Sequence, residues 1–356
     1  MRRGSALLLG TFWLACAPPE RPPCDATPAP GLVGSICGFD HPEDLELVPA
    51  AGVVLASGLE PGAGLWAIDV EGLAGADAQP WRIWPGQGAG STASVSGDPA
   101  CTTPPDPAAF LAHGLTARAD SATSHVTLAV VGHGAREAIE LFELHGKGRS
   151  TFATWRGCVP LPPDAMGNDV GIAPDGEIVV TKFIPYREGL ALRYEALRAS
   201  VGFESGEVLA WSRERGWRAV PGTQGAGPNG MVLSADGEFI YFAENGRQRI
   251  VRVPRAGASA ERPAAFAALP SNVDNINWAN GRLLAVVHLG GAQALFQACL
   301  MHWAVFEVDP DSLEAREILD HEGEVLCGAT SAVQVGDRYL IGSMNETRVG
   351  VWQPAS

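Results

Sequence analysis

Along most of this chain, apolar residues come in short runs separated by Gly, Pro, Asn or Asp, and no long stretch repeats them at helical spacing. Runs of this kind fall at 126–131, 177–183, 238–243 and 282–288. They predict β-strands throughout, and so a single all-β domain. Three segments repeat one pattern: Asn168-Asp169-Val-Gly-Ile-Ala-Pro-Asp175-Gly176, Asn229-Gly-Met-Val-Leu-Ser-Ala-Asp236-Gly237 and Asp274-Asn275-Ile-Asn-Trp-Ala-Asn280-Gly281. Each opens on amide or carboxylate oxygens, crosses an apolar run and ends in an Asx-Gly turn, the strongest short-range hairpin signal. The openings at 168, 229 and 274 lie 61 and 45 residues apart, near the roughly 40–50 residues that one four-stranded propeller blade consumes. The repeat therefore predicts a propeller whose blades deliver oxygen ligands to equivalent points around its axis, a geometry suited to a hard cation.

Composition sharpens this picture. Gly and Pro number 43 and 27 among 356 residues and, set between apolar runs, punctuate strands rather than mark disorder. The formal charge of −15 is compatible with cation binding and argues against nucleic acid as a partner. At the N-terminus, Arg2 and Arg3 precede an apolar run too short to span a bilayer. Leu14-Ala15-Cys16 resembles a bacterial lipobox, although Trp13 stands where a small or aliphatic residue is usual. The expected organisation is a signal peptide at 1–16, a Pro/Ala/Gly-rich tether at 17–36 and the propeller at 37–356. Acylation at Cys16 would place the protein on the outer membrane or cell envelope, with membrane contact through the lipid anchor alone; plain secretion is the alternative. Cys24, Cys37, Cys101, Cys158, Cys299 and Cys327 then remain, an even number that reads as disulfide-bonded in an exported protein. They show no zinc spacing.

Further boxes accompany the Asx segments: Pro42-Glu43-Asp44-Leu45-Glu46-Leu47, Ala112-His113-Gly114-Leu115, and Leu128-Ala-Val-Val-Gly-His133 followed by Glu140-Leu-Phe-Glu-Leu144. Val287-His288 and Leu326-Cys-Gly-Ala-Thr330 with Leu340-Ile-Gly342 complete the series. In this order they resemble the paraoxonase/arylesterase family, within the wider group of gluconolactonases and strictosidine synthases, from about residue 41 to 353. The resemblance implies a six-bladed β-propeller with two calcium ions in its tunnel. The catalytic ion would be held by Glu43, Asn168, Asn229, Asp274 and Asn275. The structural ion would be held by Asp44 and Asp169 with backbone carbonyls. Two carboxylates per ion would formally neutralise each, whereas four uncompensated carboxylates around one axis would raise each other's pKa.

His113 and His133 match the family's paired histidines, with His113 as the base for water and His133 as its relay; His288 is an alternative shuttle. An imidazole base predicts a rate that falls as pH drops through the ordinary histidine range. The remaining five histidines match no functional box, and Thr330 reads as packing at the pocket edge. No G-x-S-x-G nucleophile elbow is present outside the signal. Departures from the family include the absent C-terminal cysteine, an insertion at 86–107, and Lys182-Phe183 where polar or acidic residues are expected. The expected disulfides, Cys24–Cys37, Cys101–Cys158 and Cys299–Cys327, are one of fifteen possible connectivities. The leading expectation is a calcium-dependent hydrolase of lactones and aryl esters, taking a small-molecule substrate. The alternatives are a gluconolactonase-type sugar lactonase with one divalent ion, or a non-catalytic metal-stabilised binding propeller. Oligomeric state is not specified by these features.

Overall fold

A computed structural model describes residue 24 and residues 32–74, 78–86, 96–120, 123, 125–259, 261–290, 302–323 and 325–354. The signal peptide with Cys16, most of the tether and Cys299 lie outside these described residues. Six sheets, antiparallel except at the short β6, follow one another around an axis as a six-bladed β-propeller. The chain enters through β1 (Leu32–Cys37) and builds the first blade from β2 (Leu45–Val48), β3 (Val53–Ser57), β4 (Leu65–Asp69) and β5 (Trp81–Trp84). The second blade comprises β6 (Ser96–Gly97), β7 (Leu111–Ala119), β8 (Val126–His133), β9 (Ala138–His145) and β10 (Phe152–Pro160). The third contains β11 (Ala165–Ile172), β12 (Ile178–Pro185), the helix α1 (Leu190–Ser200), β13 (Glu207–Ser212) and β14 (Gly216–Ala219). The fourth is β15 (Pro228–Leu233), β16 (Phe239–Glu244), β17 (Arg249–Pro254) and β18 (Ala265–Ala268). The fifth is β19 (Asn272–Ala279), β20 (Arg282–His288), β21 (Trp303–Val308) and β22 (Ala315–His321), and β23 (Ala329–Val335), β24 (Arg338–Ser343) and β25 (Arg348–Trp352) lead the sixth.

β1 completes the sixth blade by pairing antiparallel with β25, so strand hydrogen bonds from the N-terminal segment close the ring. This explains how closure is achieved without a C-terminal cysteine. Cys37 pairs instead with Cys24, and Cys101 pairs with Cys158, as expected. β1 begins at Leu32, so the strand starts inside the segment read as tether.

The second strand of each blade is nearly continuous in apolar character because neighbouring blades cover both of its faces. All five residues of β3 are buried, and β20 is exposed only at Arg282. The described core divides into six apolar clusters, one at each junction between adjacent blades. Burying each such Val, Leu or Ile contributes about 1.5–3 kcal/mol, so the ring is held by its junctions rather than by one central core. The axis is thereby left to polar residues. The Asx-Gly turns form as expected, with one difference. Asn280 and Gly281 both adopt positive φ, whereas at Asp175-Gly176 and Asp236-Gly237 only the glycine does. There the aspartate accepts a hydrogen bond from the backbone N–H two residues on, at 3.1 Å from Glu177 and 2.9 Å from Glu238.

The insertion at 86–107 contributes β6, which runs parallel to β10 and is stapled to the rim of the second blade by Cys101–Cys158. Its Thr103 carbonyl accepts from Arg136 at 2.9 Å, in the loop that follows β8.

Candidate metal and hydrolytic centre

The innermost strands of five blades carry the same irregularity near their N-terminal ends. Ladder pairing is interrupted between Ala112 and Leu115, Gly167 and Val170, Pro228 and Met231, Val273 and Ile276, and Ala329 and Ala332. Each gap sets two residues of the inner strand against one of its neighbour, which defines a β-bulge and re-aims side chains toward the axis. The skipped pairs are His113-Gly114, Asn168-Asp169, Asn229-Gly230, Asp274-Asn275 and Thr330-Ser331. Glu43-Asp44 occupies the corresponding place in the first blade, immediately before β2. Hydroxyls of the second strands satisfy two freed amides: Ser57 accepts from Asp44 N–H at 2.9 Å and Thr181 from Asp169 N–H at 3.0 Å.

The bulges bring the sequence-selected residues together. Asn275 Nδ2 donates to Glu43 Oε1 at 2.8 Å. Asn168 Nδ2 lies 3.3 Å from His113 Nε2, and the Asn229 side chain is hydrogen-bonded to Asp274. Every amide nitrogen is therefore turned toward a neighbour, leaving amide oxygens to face inward. Glu43 Oε2, Asn168 Oδ1, Asn229 Oδ1 and Asn275 Oδ1 are buried without a hydrogen-bond partner. Among the described residues, these are all the buried carboxylate or amide oxygens in that condition. Burying such oxygens unpaired costs about 1–3 kcal/mol each, so four at one place fit a cation that would accept their lone pairs. Among the described residues, no three His, Cys, Asp or Glu side chains converge closely enough to hold a metal ion by themselves. The asparagine oxygens are needed to complete the set, and oxygen-only ligation suits calcium.

Asp44 and Asp169 have a different setting. Asp44 accepts from Leu45 and Leu115 N–H, each at 2.8 Å; Asp169 accepts from Val170 at 2.7 Å and Met231 at 2.6 Å. One aspartate thus stitches the first blade to the second, and the other stitches the third to the fourth. The glycines beside them make this possible. A Cβ on Gly114 would lie 2.5 Å from Asp169 Oδ1 and from its Cα, and one on Gly230 would lie 2.4 Å from Asn275 Cα.

The carboxyl groups carry the electrostatic cost of this arrangement. Burial, then Asp274 and Asp44, raises Glu43 well above the ordinary carboxylate range. Burial lifts Asp44 to about 7 and raises Asp274, while burial followed by Asp44 raises Asp169 well above its usual value. Glu46, one residue into β2, is pushed up to about 8 by burial and then by Asp44.

The two paired histidines meet. His113 Nδ1 lies 3.0 Å from His133 Nε2, and His133 Nδ1 lies 2.7 Å from Glu137 Oε2. Glu137 matched no motif; its only sequence signal is its place four residues after His133. His113 Nε2 is also 3.8 Å from Glu43 Oε2. His133 is 1 % exposed, whereas the His113 side chain retains 16 %, so His113 is the ring that a small molecule can reach. Burial, and next His133, holds His113 down at about 3, which corrects the expectation of a base titrating in the ordinary histidine range.

His288 also reaches the site, with Nε2 at 3.4 Å from Asp274 Oδ2 and 2.6 Å from the Ala329 carbonyl. A carbonyl only accepts, so this nitrogen carries a proton in that bond. Thr330 is fully buried and donates to the Glu43 carbonyl, placing it in the packing of the site. Lys182 is paired with Asp164 at 2.7 Å. Of the remaining histidines, His41, His125 and His302 pair with Glu60, Glu143 and Asp320, and His145 and His321 stack on Phe152 and Trp303.

No protein-family model and no curated protein matches the sequence. Solved structures do match the fold, at low identity. The PQQ-bound aldose sugar dehydrogenase of Streptomyces coelicolor is 12% identical, with TM-score 0.52, covering 90% of this chain and 97% of that one. Regucalcin of Agrobacterium tumefaciens, a calcium-binding protein, is 14% identical, with TM-score 0.50 and coverage of 90% and 93%. A luciferin-regenerating enzyme is 11% identical, with TM-score 0.51 and coverage of 89% and 92%. Two of these neighbours are named as enzymes of different chemistry and one as a calcium-binding protein, so the fold alone does not select an activity.

Proposed function

We propose that the protein is a calcium-dependent hydrolase of lactones and aryl esters. The carrying observation is the set of four unpartnered buried oxygens beside the reachable His113 ring. Glu43, Asn168, Asn229, Asp274 and Asn275 would hold the catalytic calcium, and Asp44 and Asp169 a structural one. When bound, the catalytic ion supplies Lewis-acid polarisation of the substrate carbonyl. His113 Nε2 takes a proton from water as the water oxygen attacks the carbonyl carbon. The same nitrogen returns the proton to the leaving oxygen when the C–O bond breaks. His133 orients the ring through Nδ1. The buried surroundings favour neutral His113, so the base is available without prior deprotonation.

A second reading is a sugar lactonase with a single divalent ion. It is favoured by the distribution of unpaired oxygens, since Asp44 and Asp169 already accept backbone N–H bonds while the unpartnered atoms all belong to Glu43, Asn168, Asn229 and Asn275. One experiment tests both readings: hydrolysis of aliphatic lactones, sugar lactones and phenyl acetate by chelator-stripped protein, with calcium added back stepwise. Calcium-restored turnover of aliphatic lactones and phenyl acetate supports the first reading, and turnover confined to sugar lactones supports the second. Calcium binding with no turnover of any substrate would leave a metal-stabilised binding propeller.

A further inference from the structure

We infer that Glu137 is a positioning residue: through His133 it fixes the tautomer of His113, so that His113 presents a bare Nε2 to the site. The inference follows from a continuous chain of contacts. A carboxylate has only lone pairs to offer, so the 2.7 Å contact from Glu137 Oε2 requires a proton on His133 Nδ1. A neutral His133 then has an unprotonated Nε2. That atom lies 3.0 Å from His113 Nδ1 and accepts its proton. The neutral His113 ring is therefore left with a bare Nε2, and Asn168 Nδ2, a donor only, approaches that atom at 3.3 Å. The same orientation turns Asn168 Oδ1 into the oxygen cradle, where it has no hydrogen-bond partner. A single carboxylate at the rim of the second blade thus sets the polarity of two rings and an amide in the third blade.

The loop carrying Glu137 is built to hold it still. Arg136 makes two bonds to Glu140, at 2.6 and 2.9 Å, and one to the Thr103 carbonyl of the insertion. Glu140 is itself buried and accepts from Trp155 Nε1 at 2.8 Å. Gly134 turns the chain at φ +82°, where a Cβ would lie 2.0 Å from the Ala109 carbonyl oxygen. With the loop clamped on both sides, the backbone that carries Glu137 is held in place beside His133, and the 2.7 Å contact fixes its carboxylate there.

The arrangement also gives the abstracted proton a place to go. When His113 Nε2 has taken a proton from water, the Nδ1 proton moves to His133 Nε2. His113 is then neutral with its proton on Nε2, and the positive charge rests on His133 against Glu137. This step rests on the proposed function; the tautomer assignment does not.

The test combines ring spectroscopy with kinetics on full-length mature protein. Long-range ¹H–¹⁵N correlation of ¹⁵N-histidine-labelled, calcium-free protein reads the tautomer of each ring directly. The expected wild-type result is protonated Nδ1 and bare Nε2 on both His113 and His133. Glu137→Leu should lose that single pattern and lower kcat at least about tenfold with little change in KM. Glu137→Asp should recover part of both. His133 carrying its proton on Nε2 in the wild type would overturn the inference whether or not any variant folds. So would a folded Glu137→Leu protein with unchanged ring pattern or unchanged kcat. If no lactone or ester is turned over, the functional reading fails, and the wild-type and Glu137→Leu spectra still decide the positioning role.

Discussion

Asn275 and Glu43 lie 232 positions apart, yet the Asn275 amide donates to the Glu43 carboxylate at 2.8 Å and joins the fifth blade to the first across the axis. The other Glu43 oxygen, Oε2, and the Asn275 amide oxygen, Oδ1, have no hydrogen-bond partner. The contact therefore does two things: it fixes which way the amide points, and it leaves an oxygen pair aimed at a common centre. The Asn168–His113 contact repeats this logic, as does the Asn229–Asp274 bond. Cation affinity and base orientation are built from the same amides.

The stability of the metal-free protein should fall as pH rises. Glu43, Asp44, Asp169 and Asp274 are all held above the ordinary carboxylate range, chiefly by burial, with Asp44 at about 7. A carboxyl raised on folding binds its proton more tightly in the folded state. Its contribution is fully present below the ordinary carboxylate range and is lost as pH passes through the raised value. In EDTA, the melting temperature should decline from about pH 4 to about pH 8. Calcium should raise the melting temperature most at the upper end, because the ion stabilises the ionised carboxylates. Scanning fluorimetry across this range in EDTA and in calcium provides the check. Parallel curves with no calcium-dependent gap would remove the cation from the account.

Gly114→Ala and Gly230→Ala should each destabilise by about 1–3 kcal/mol, because the added methyl meets backbone atoms that cannot rotate away. Each should also weaken the calcium response, since the atoms displaced belong to Asp169 and Asn275. Gly34→Ala is the matched control: nothing lies within 4 Å of its added Cβ. Urea titrations of the three variants with and without calcium would decide the matter. Equal costs at all three positions would show that the axial glycines are ordinary strand residues.

The blades and most of the site were legible because both rest on local patterns. Asx-Gly turns, apolar runs and paired ligands such as Asn168-Asp169 are contiguous in the chain. Glu137 was not legible, because a glutamate four residues after a histidine is unremarkable until the β8–β9 turn brings them together. Thr330-Ser331 escaped notice as a member of the repeat because hydroxyls replace the Asx oxygens there. Gly114 and Gly230 hold the second place of their pairs with no side chain to register. The bulge unites five of the six pairs, with Glu43-Asp44 in the corresponding place before β2, and it depends on pairing between strands, which no single strand's sequence reveals.

Cys16→Ser should move the protein from the membrane fraction to the soluble fraction with activity intact, since no site residue precedes Glu43. The Cys24–Cys37 disulfide ties the chain to the end of β1. Cys24 lies eight positions after Cys16, a reach of at most roughly 28 Å by about 3.3–3.6 Å per residue. The propeller should therefore sit close to the lipid surface. Fractionation of wild-type and Cys16→Ser protein, with mass measurement of the N-terminal peptide, tests this. A soluble, unacylated wild type would show that Trp13 spoils the lipobox.

His113 should remain the unprotonated base well below neutral pH, since burial and His133 hold it at about 3. A loss of hydrolysis between about pH 7 and pH 4 must then arise from protonation of the ligand carboxylates. These groups bind either protons or the cation, so the two compete. Raising calcium tenfold should move the acid limb of kcat/KM downward by about one pH unit if each ion displaces one proton, and by about half a unit if it displaces two. A limb set by His113 itself would not move with calcium. His113→Gln should lower kcat by about 10²–10⁴ while leaving the calcium-induced rise in melting temperature in place. An acid limb that stays fixed over a hundredfold range of calcium, together with full activity in His113→Gln, would take the base away from this ring and leave the site as a cation anchor.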